Sequence, residues 1–241
     1  MKILVISAWS ASSGIFNSTL GKSIQYWLTL NQKIEIDLLT AEVAEQTNHN
    51  FPDRVRHIQA VATSHSTLAR FISGLTTTIK YISRNNFDIV WARGITSGNY
   101  AWLVSMLTRK KLILESVEPH TDYMIEGGTW KKNGLKAKIQ RSIEKKMLKK
   151  ASAILTVSEA YKKVLGDQYG ESSLLMSMAC AVNFDEFAFS LDERKRIRTG
   201  LSISNSNHVG IYVGQFGDIY YAEETINFVR FFLEADSSNF F

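Results

Sequence analysis

Cysteine occurs once in these 241 residues, at Cys180. That excludes an internal disulfide and fits a reducing compartment. Two prolines leave no proline-rich linker. No stretch approaches the ~18 consecutive apolar residues that a membrane helix needs. The opening MKILVISAW has an apolar run too short for a secretory leader, so a cytoplasmic location is expected. One cysteine and five scattered histidines offer no zinc cluster. Glu118 and Asp122 beside His120 stay open as a metal pair, but such groupings are common by chance, and neither metal nor cofactor is expected. There is no G-x-S-x-G and no Walker lysine motif. The segment SASSGIFNS lacks the spaced glycines of a dinucleotide fingerprint, which disfavours a dehydrogenase or epimerase.

What is present is ordinary globular composition, 45% hydrophobic and 21% charged. The net charge of +5 is uneven. Residues 131–150 hold nine Lys or Arg and one acid, a local +8, so the remainder carries −3. A local patch means a local partner or a solvated face. Basic residues interleaved with exposed aromatics are missing there, so no nucleic acid partner is expected.

The apolar pattern predicts strands at 2–6, 34–40, 55–61, 87–92, 111–117, 151–158 and 173–178, with helical spacing between most of them. Such alternation predicts an α/β fold, a doubly wound, Rossmann-like parallel sheet. After a charged helix at 191–201, the segment 208–235 restarts with a strand, a glycine loop and a helix. The expected domains are therefore 1–189 and 190–241, the second too short to bury a core of its own. Cys180, directly after an apolar strand, is expected to be a buried small hydrophobe.

In open α/β sheets ligands bind outside the carboxyl ends of the strands. SASSG, ARG (92–94), EPHTDY (118–123) and VSE (157–159) all fall there. His120 is the candidate catalytic residue, flanked by Glu118 and Asp122. Arg93 is a candidate acceptor or phosphate contact, or else a structural partner of Glu118 or Asp122. Gly14 and the VGQFG loop (213–217) are either tight turns or places where backbone closely approaches a phosphate at a helix N-terminus. In GLKAKIQRSIEKKMLKKA, Leu135, Ile139, Ile143 and Met147 recur every four residues and are expected to face the core. Lys138, Arg141, Lys145 and Lys149 form a separate basic face. That face is either an ordinary solvated side, suited to the helix C-terminal dipole, or a peripheral contact with an anionic membrane.

The segments ISAWSASSGIFNS, DIVWARG, ILESVEPHTDY, ASAILTVSEAYKKVL, MSMACAVNFDEF and GIYVGQFGDIYY, in this order, resemble the GT-B glycosyltransferases of the retaining family 4 group. The resemblance implies an acceptor-side domain and a nucleotide-sugar domain with a cleft between them, and UDP- or GDP-sugar as substrate. It implies that His120 lies beside the transferred sugar. Gly14, Ile15, Asn17, Arg93, Glu118, Asp122 and Tyr123 would meet acceptor or sugar. Gly14, Ser158, Gly214, Gln215, Phe216 and Gly217 would meet the donor diphosphate. Ala179 and Ala181 depart from the family's proline and glycine, and Gln215 stands at one expected basic site. The family's glutamate-rich donor segment has no counterpart before Phe241. The second Rossmann-like domain is therefore expected to be truncated, and the chain weakly active or inactive alone. The alternative is a non-catalytic binding or assembly domain that homodimerises through its exposed face.

Overall fold

A computed structural model describes residues 1–45, 51–62, 66–169, 174–180, 184, 187–214 and 220–241. Seven parallel strands are β1 (Lys2–Ser7), β2 (Glu35–Glu42), β3 (Val55–Val61), β4 (Ile89–Arg93), β5 (Lys111–Ser116), β6 (Ala153–Thr156) and β7 (Leu174–Ser177). Their order is β3-β2-β1-β4-β5-β6-β7. The direction of winding reverses between β1 and β4, whose register pairs Ile3 with Ile89 and Ile6 with Ala92.

Side chains alternate across the sheet with a period of two, and β1 shows why both faces must be covered. Leu4 and Ile6 enter one core cluster, with Val90, Leu112, Leu114 and Ala101. Ile3 and Val5 enter the other, with Phe16, Leu20, Ile24 and Leu28. The latter four come from a continuous helical segment: α1 (Gly14–Phe16), a π-helical turn (Asn17–Gly21) and α2 (Lys22–Leu30). The first cluster is covered by α4 (Ile95–Thr108) and α6 (Leu135–Lys150). Further helices are α3 (Thr67–Ile82), α5 (His120–Glu126) and α7 (Glu159–Tyr169).

The basic helix α6 corrects the expected stripe. Met147 is fully buried, but Leu135 is 75% and Ile139 51% exposed. A strict four-residue repeat drifts about 40° per step around an α-helix. The stripe therefore starts on the outside and reaches the core only at its last member. The buried positions are Ala137, Glu144, Met147 and Leu148.

Chain contacts divide the molecule into two compact units. One comprises Met1–Tyr123 and Asn133–Ala179, the other Met124–Lys132 and Cys180–Phe241. The first contains the whole sheet. In the second lie α8 (Leu191–Gly200) and α9 (Ala222–Ala235). Ser190 caps α8 by accepting from the Glu193 amide at 3.2 Å, as its S-x-x-E spacing suggests. Ile203 is the one buried hydrophobic side chain among this unit's described residues. The strand expected at 208–213 is absent: Val209 makes an isolated bridge to Phe240. One bridge leaves the neighbouring backbone groups without a ladder to continue. Cys180 is exposed, because β7 ends at Ser177 and the chain beyond it leaves the sheet.

Candidate functional site

At the carboxyl ends of β1 and β4, where the winding reverses, lies a cavity of about 440 Å³. Ala8 and Trp9 reach it from β1, and Ala41 from β2. The β1 end is tied down locally: Trp9 N–H donates to Ser7 Oγ at 3.1 Å, and Ala8 N–H to Ser97 Oγ at 2.8 Å. The following SASSG loop is held by a buried carboxylate that sequence reasoning missed. Glu42 accepts from the Ser10 hydroxyl, from Ala11 N–H at 2.9 Å and from the Thr40 hydroxyl at 2.6 Å.

From β4 come Arg93 and Gly94. Gly94 has φ +75°, which favours glycine, and its N–H donates to Glu115 O at 2.8 Å. The turn starts α4, whose first residues Ile95, Thr96 and Ser97 line the cavity. No side chain caps that helix end and no acid occupies its first turn. Arg93 is buried and forms an ion pair with Glu115, its register neighbour on β5. Of the two open readings of Arg93, a ligand contact or a structural partner of Glu118 or Asp122, the second changes partner: the ion pair is with Glu115. An acid inside the apolar strand LILES was the available signal, because a buried carboxylate requires a partner.

The β5–α5 connection supplies Glu118 and His120. His120 opens α5, with its side chain 20% exposed and Nδ1 3.4 Å from Glu118 Oε1. Thr121, next along, is clamped from α6. Glu144 Oε2 accepts from the Thr121 hydroxyl at 2.7 Å and from its N–H at 3.3 Å. Burial pushes the Glu144 carboxyl above its ordinary range, and the Thr121 hydrogen bonds only partly offset that. Behind it, burial pushes the Tyr161 phenol up to about 12, although its hydroxyl lies 3.1 Å from Ser116 Oγ. Glu144 is the single acid of the basic segment 131–150 and the one charged residue of α6 turned inward. Arg70 and Phe71 of α3, with Tyr100 of α4, complete the wall.

Of the expected site residues, Arg93, Glu118 and His120 are therefore brought together. Gly14, Ile15 and Asn17 are exposed and do not line the cavity. Asp122 lies outside it and pairs with Arg141 at 2.6 Å. Tyr123 is half-buried and also away from the lining. Ser158 is exposed and caps α7, accepting from Tyr161 N–H at 3.2 Å. Gly214 is exposed, and Gln215, Phe216 and Gly217 lie outside the described residues. Lys138, Lys145 and Lys149 are exposed along α6, whereas Arg141 is engaged by Asp122. Among the described residues, no group of three or more His, Cys, Asp or Glu is placed to hold a metal. No helix among them is long and apolar enough to cross a membrane.

Residues 30–172, more than half of the chain, match the family described as a glycosyl transferase 4-like domain. The chain belongs to this family. No curated protein matches the glycosyl transferase 4-like chain in sequence. Solved structures match it in fold. Sucrose-phosphate synthase from Thermosynechococcus elongatus aligns with TM-score 0.60 and 11% identity, over 100% of this chain and 69% of that one. Anabaena HepE in complex with UDP and glucose aligns with TM-score 0.56 and 11% identity, over 89% and 54%. UGT2 from Phytolacca americana aligns with TM-score 0.55 and 9% identity, over 90% and 59%. The chain thus spans between about half and two thirds of these structures' lengths. The Rossmann-like α/β fold is that of GT-B glycosyltransferases.

Proposed function

We propose that this chain supplies the acceptor side of a retaining glycosyltransferase that uses a UDP- or GDP-sugar. The observation that carries the reading is the cavity at the β1–β4 reversal, with His120 and Glu118 facing it. On this reading the acceptor-side domain, expected at 1–189, is the unit that carries the sheet, Met1–Tyr123 with Asn133–Ala179, and the expected donor side, 190–241, falls in the other unit. In the reaction the bond from the anomeric carbon to the diphosphate oxygen breaks, and its electron pair leaves with the diphosphate. The acceptor hydroxyl oxygen bonds to the anomeric carbon, and its proton passes to the departing phosphate. His120 contacts the sugar as positive charge develops on it, and the uncapped start of α4 offers its dipole to an electron-rich acceptor. Neither role requires a metal.

A membrane is the second element of the proposal. The outward face of α6 carries Lys138, Lys145 and Lys149 beside exposed Leu135 and Ile139. That combination suits peripheral docking on an anionic surface where a lipid-linked acceptor would be presented. An assembly role is a further reading, favoured by the exposed Phe228 and Phe231 on α9. Light scattering over a concentration series tests it, and a monomer throughout excludes it. The transferase reading is tested by joining the chain, expected to be weakly active or inactive alone, to a complete donor domain, incubating that form with a panel of nucleotide-sugars and candidate acceptors, and detecting the transferred sugar by mass. Transfer whose rate falls at least about 10²-fold in His120→Ala is the expected result. Transfer indifferent to that substitution overturns the role of His120.

A further inference from the structure

Arg70 and Phe71 lie in the first turns of α3, and both line the cavity. Tyr100 of α4 faces them, its ring 5.4 Å from that of Phe71 and tilted by 32°. This approach depends on Gly74. A Cβ there would stand 3.0 Å from the Tyr100 ring and hydroxyl, tighter than such contacts ordinarily allow. The two helices therefore build a fixed aromatic wall.

Beside that wall stands a second arginine of the cavity, Arg70. Arg93 is engaged by Glu115, whereas Arg70 has no acidic partner among the described residues. Burial raises the Tyr100 pKa while Arg70 pulls it the other way, so the guanidinium field reaches the wall. A guanidinium in a concave, partly apolar pocket suits the paired oxygens of a carboxylate or phosphate. Adjacent aromatic faces suit the apolar side of a sugar ring.

We propose that the acceptor is an anionic sugar, whose carboxylate or phosphate pairs with Arg70 while its ring packs on Tyr100 and Phe71. This rests on the acceptor reading of the cavity. It also orients the acceptor. Glu118 repels the anion, so the anion goes to Arg70 and a hydroxyl goes to Glu118 and His120. Arg70 is thereby a specificity-determining residue.

The test is an NMR titration of the whole chain with glucose, glucuronate, glucose 6-phosphate and inorganic phosphate. The Trp9 indole and the Ile95 amide report on the cavity. At least one anionic sugar should shift both at concentrations about tenfold or more below glucose, the contrast that one charge-assisted pair provides. The two anionic sugars distinguish carboxylate from phosphate. Arg70→Gln should remove the contrast, and raised salt should shrink it. Arg70 is only half-buried, so an unchanged melting temperature is expected to show that the variant folds. An equal response to glucose and both anionic sugars overturns the anionic acceptor, and an unaltered contrast in Arg70→Gln overturns Arg70 as its partner; either leaves the acceptor cavity standing. A response to inorganic phosphate as strong as that to the sugar phosphate overturns the sugar component. Silence at both reporters with every probe overturns the acceptor reading and this inference with it.

Discussion

Two acids on one strand separate the two edges of the sheet. Asp37 lies near the start of β2 and Glu42 at its end, and both are buried. Asp37 is met by charged and phenolic side chains: Arg56 at 2.9 and 2.7 Å, Lys2 at 3.1 Å and the Tyr81 hydroxyl. Glu42 is met by a neighbouring threonine, by the loop after β1 and, at 4.0 Å, by His57 Nε2 of β3. The amino edge thus spends its charges fastening the sheet to itself. At the carboxyl edge Glu42 holds the loop after β1 and Glu115 pairs with Arg93 of the neighbouring strand, while Arg70, Glu118 and His120 face a cavity. Charge closed within the fold serves stability, and charge held open at a strand end is available to a ligand.

The sharpest way to break the comparison is Asp37→Ala. Removing one partner of a buried pair costs roughly 3–5 kcal/mol, and the half-exposed Arg56 should bring this to the lower end, about 3 kcal/mol. Urea denaturation measures it. Burial alone would raise the Asp37 pKa, but hydrogen bonds from Arg56, Tyr81 and Lys2 outweigh it and hold the carboxyl below its ordinary value of 3.8. The sign follows: this stability is present above that value and is lost as the pH falls below it. Asp37→Asn should flatten the acid limb of the stability curve.

Glu42→Ala comes next, at about 2 kcal/mol, because the buried Ala11 N–H loses its acceptor, while the Thr40 hydroxyl keeps His57 Nε2 at 2.8 Å. Amide exchange at Ala11 should quicken more than exchange in β3, and equal change at both would deny Glu42 a loop-holding role. Glu144 has the opposite sign to Asp37. Its raised pKa contributes stability that is present at acid pH and lost as pH rises through the raised value. Glu144→Gln should therefore be less sensitive to pH between weak acid and neutrality, by less than about 1 kcal/mol. Melting temperatures at the two ends of that interval check it. The smallest effect is expected for Ile139→Ser on the outer face of α6. Stability should move by less than about 0.5 kcal/mol, while binding to anionic vesicles should lose the part that survives raised salt. Undiminished salt-resistant binding would place the membrane contact elsewhere.

The sheet was legible because its strands are buried on both faces and read as continuous apolar runs, as KILVI does. The strand ends were legible for the same reason, and His120 with them. Long-range partners were not. Nothing local to Glu42, Glu115 or Glu144 says which residues will face it, because each partner comes from another element of the chain. Arg70 is the only Asp, Glu, Lys or Arg between Arg56 and Lys80, but it lies beside the apolar stripe of a helix and no local motif marks it; only the packing of α3 on α4 turns it toward the cavity. The exposed start of α6 was misread because a four-residue repeat was taken as a straight stripe. The 208–213 segment has the composition of a strand, but no ladder forms around its single bridge to Phe240.

The central claim is that the carboxyl edge carries the chemistry and the amino edge the stability. Its most direct test is the rate of sugar transfer per folded molecule in the form joined to a complete donor domain, measured side by side for His120→Ala and Asp37→Asn. The account predicts that His120→Ala lowers that rate at least about 10²-fold with an unchanged melting temperature. Asp37→Asn should lower the melting temperature and leave the rate per folded molecule intact. Equal loss of rate in both variants, or none in His120→Ala, would contradict it.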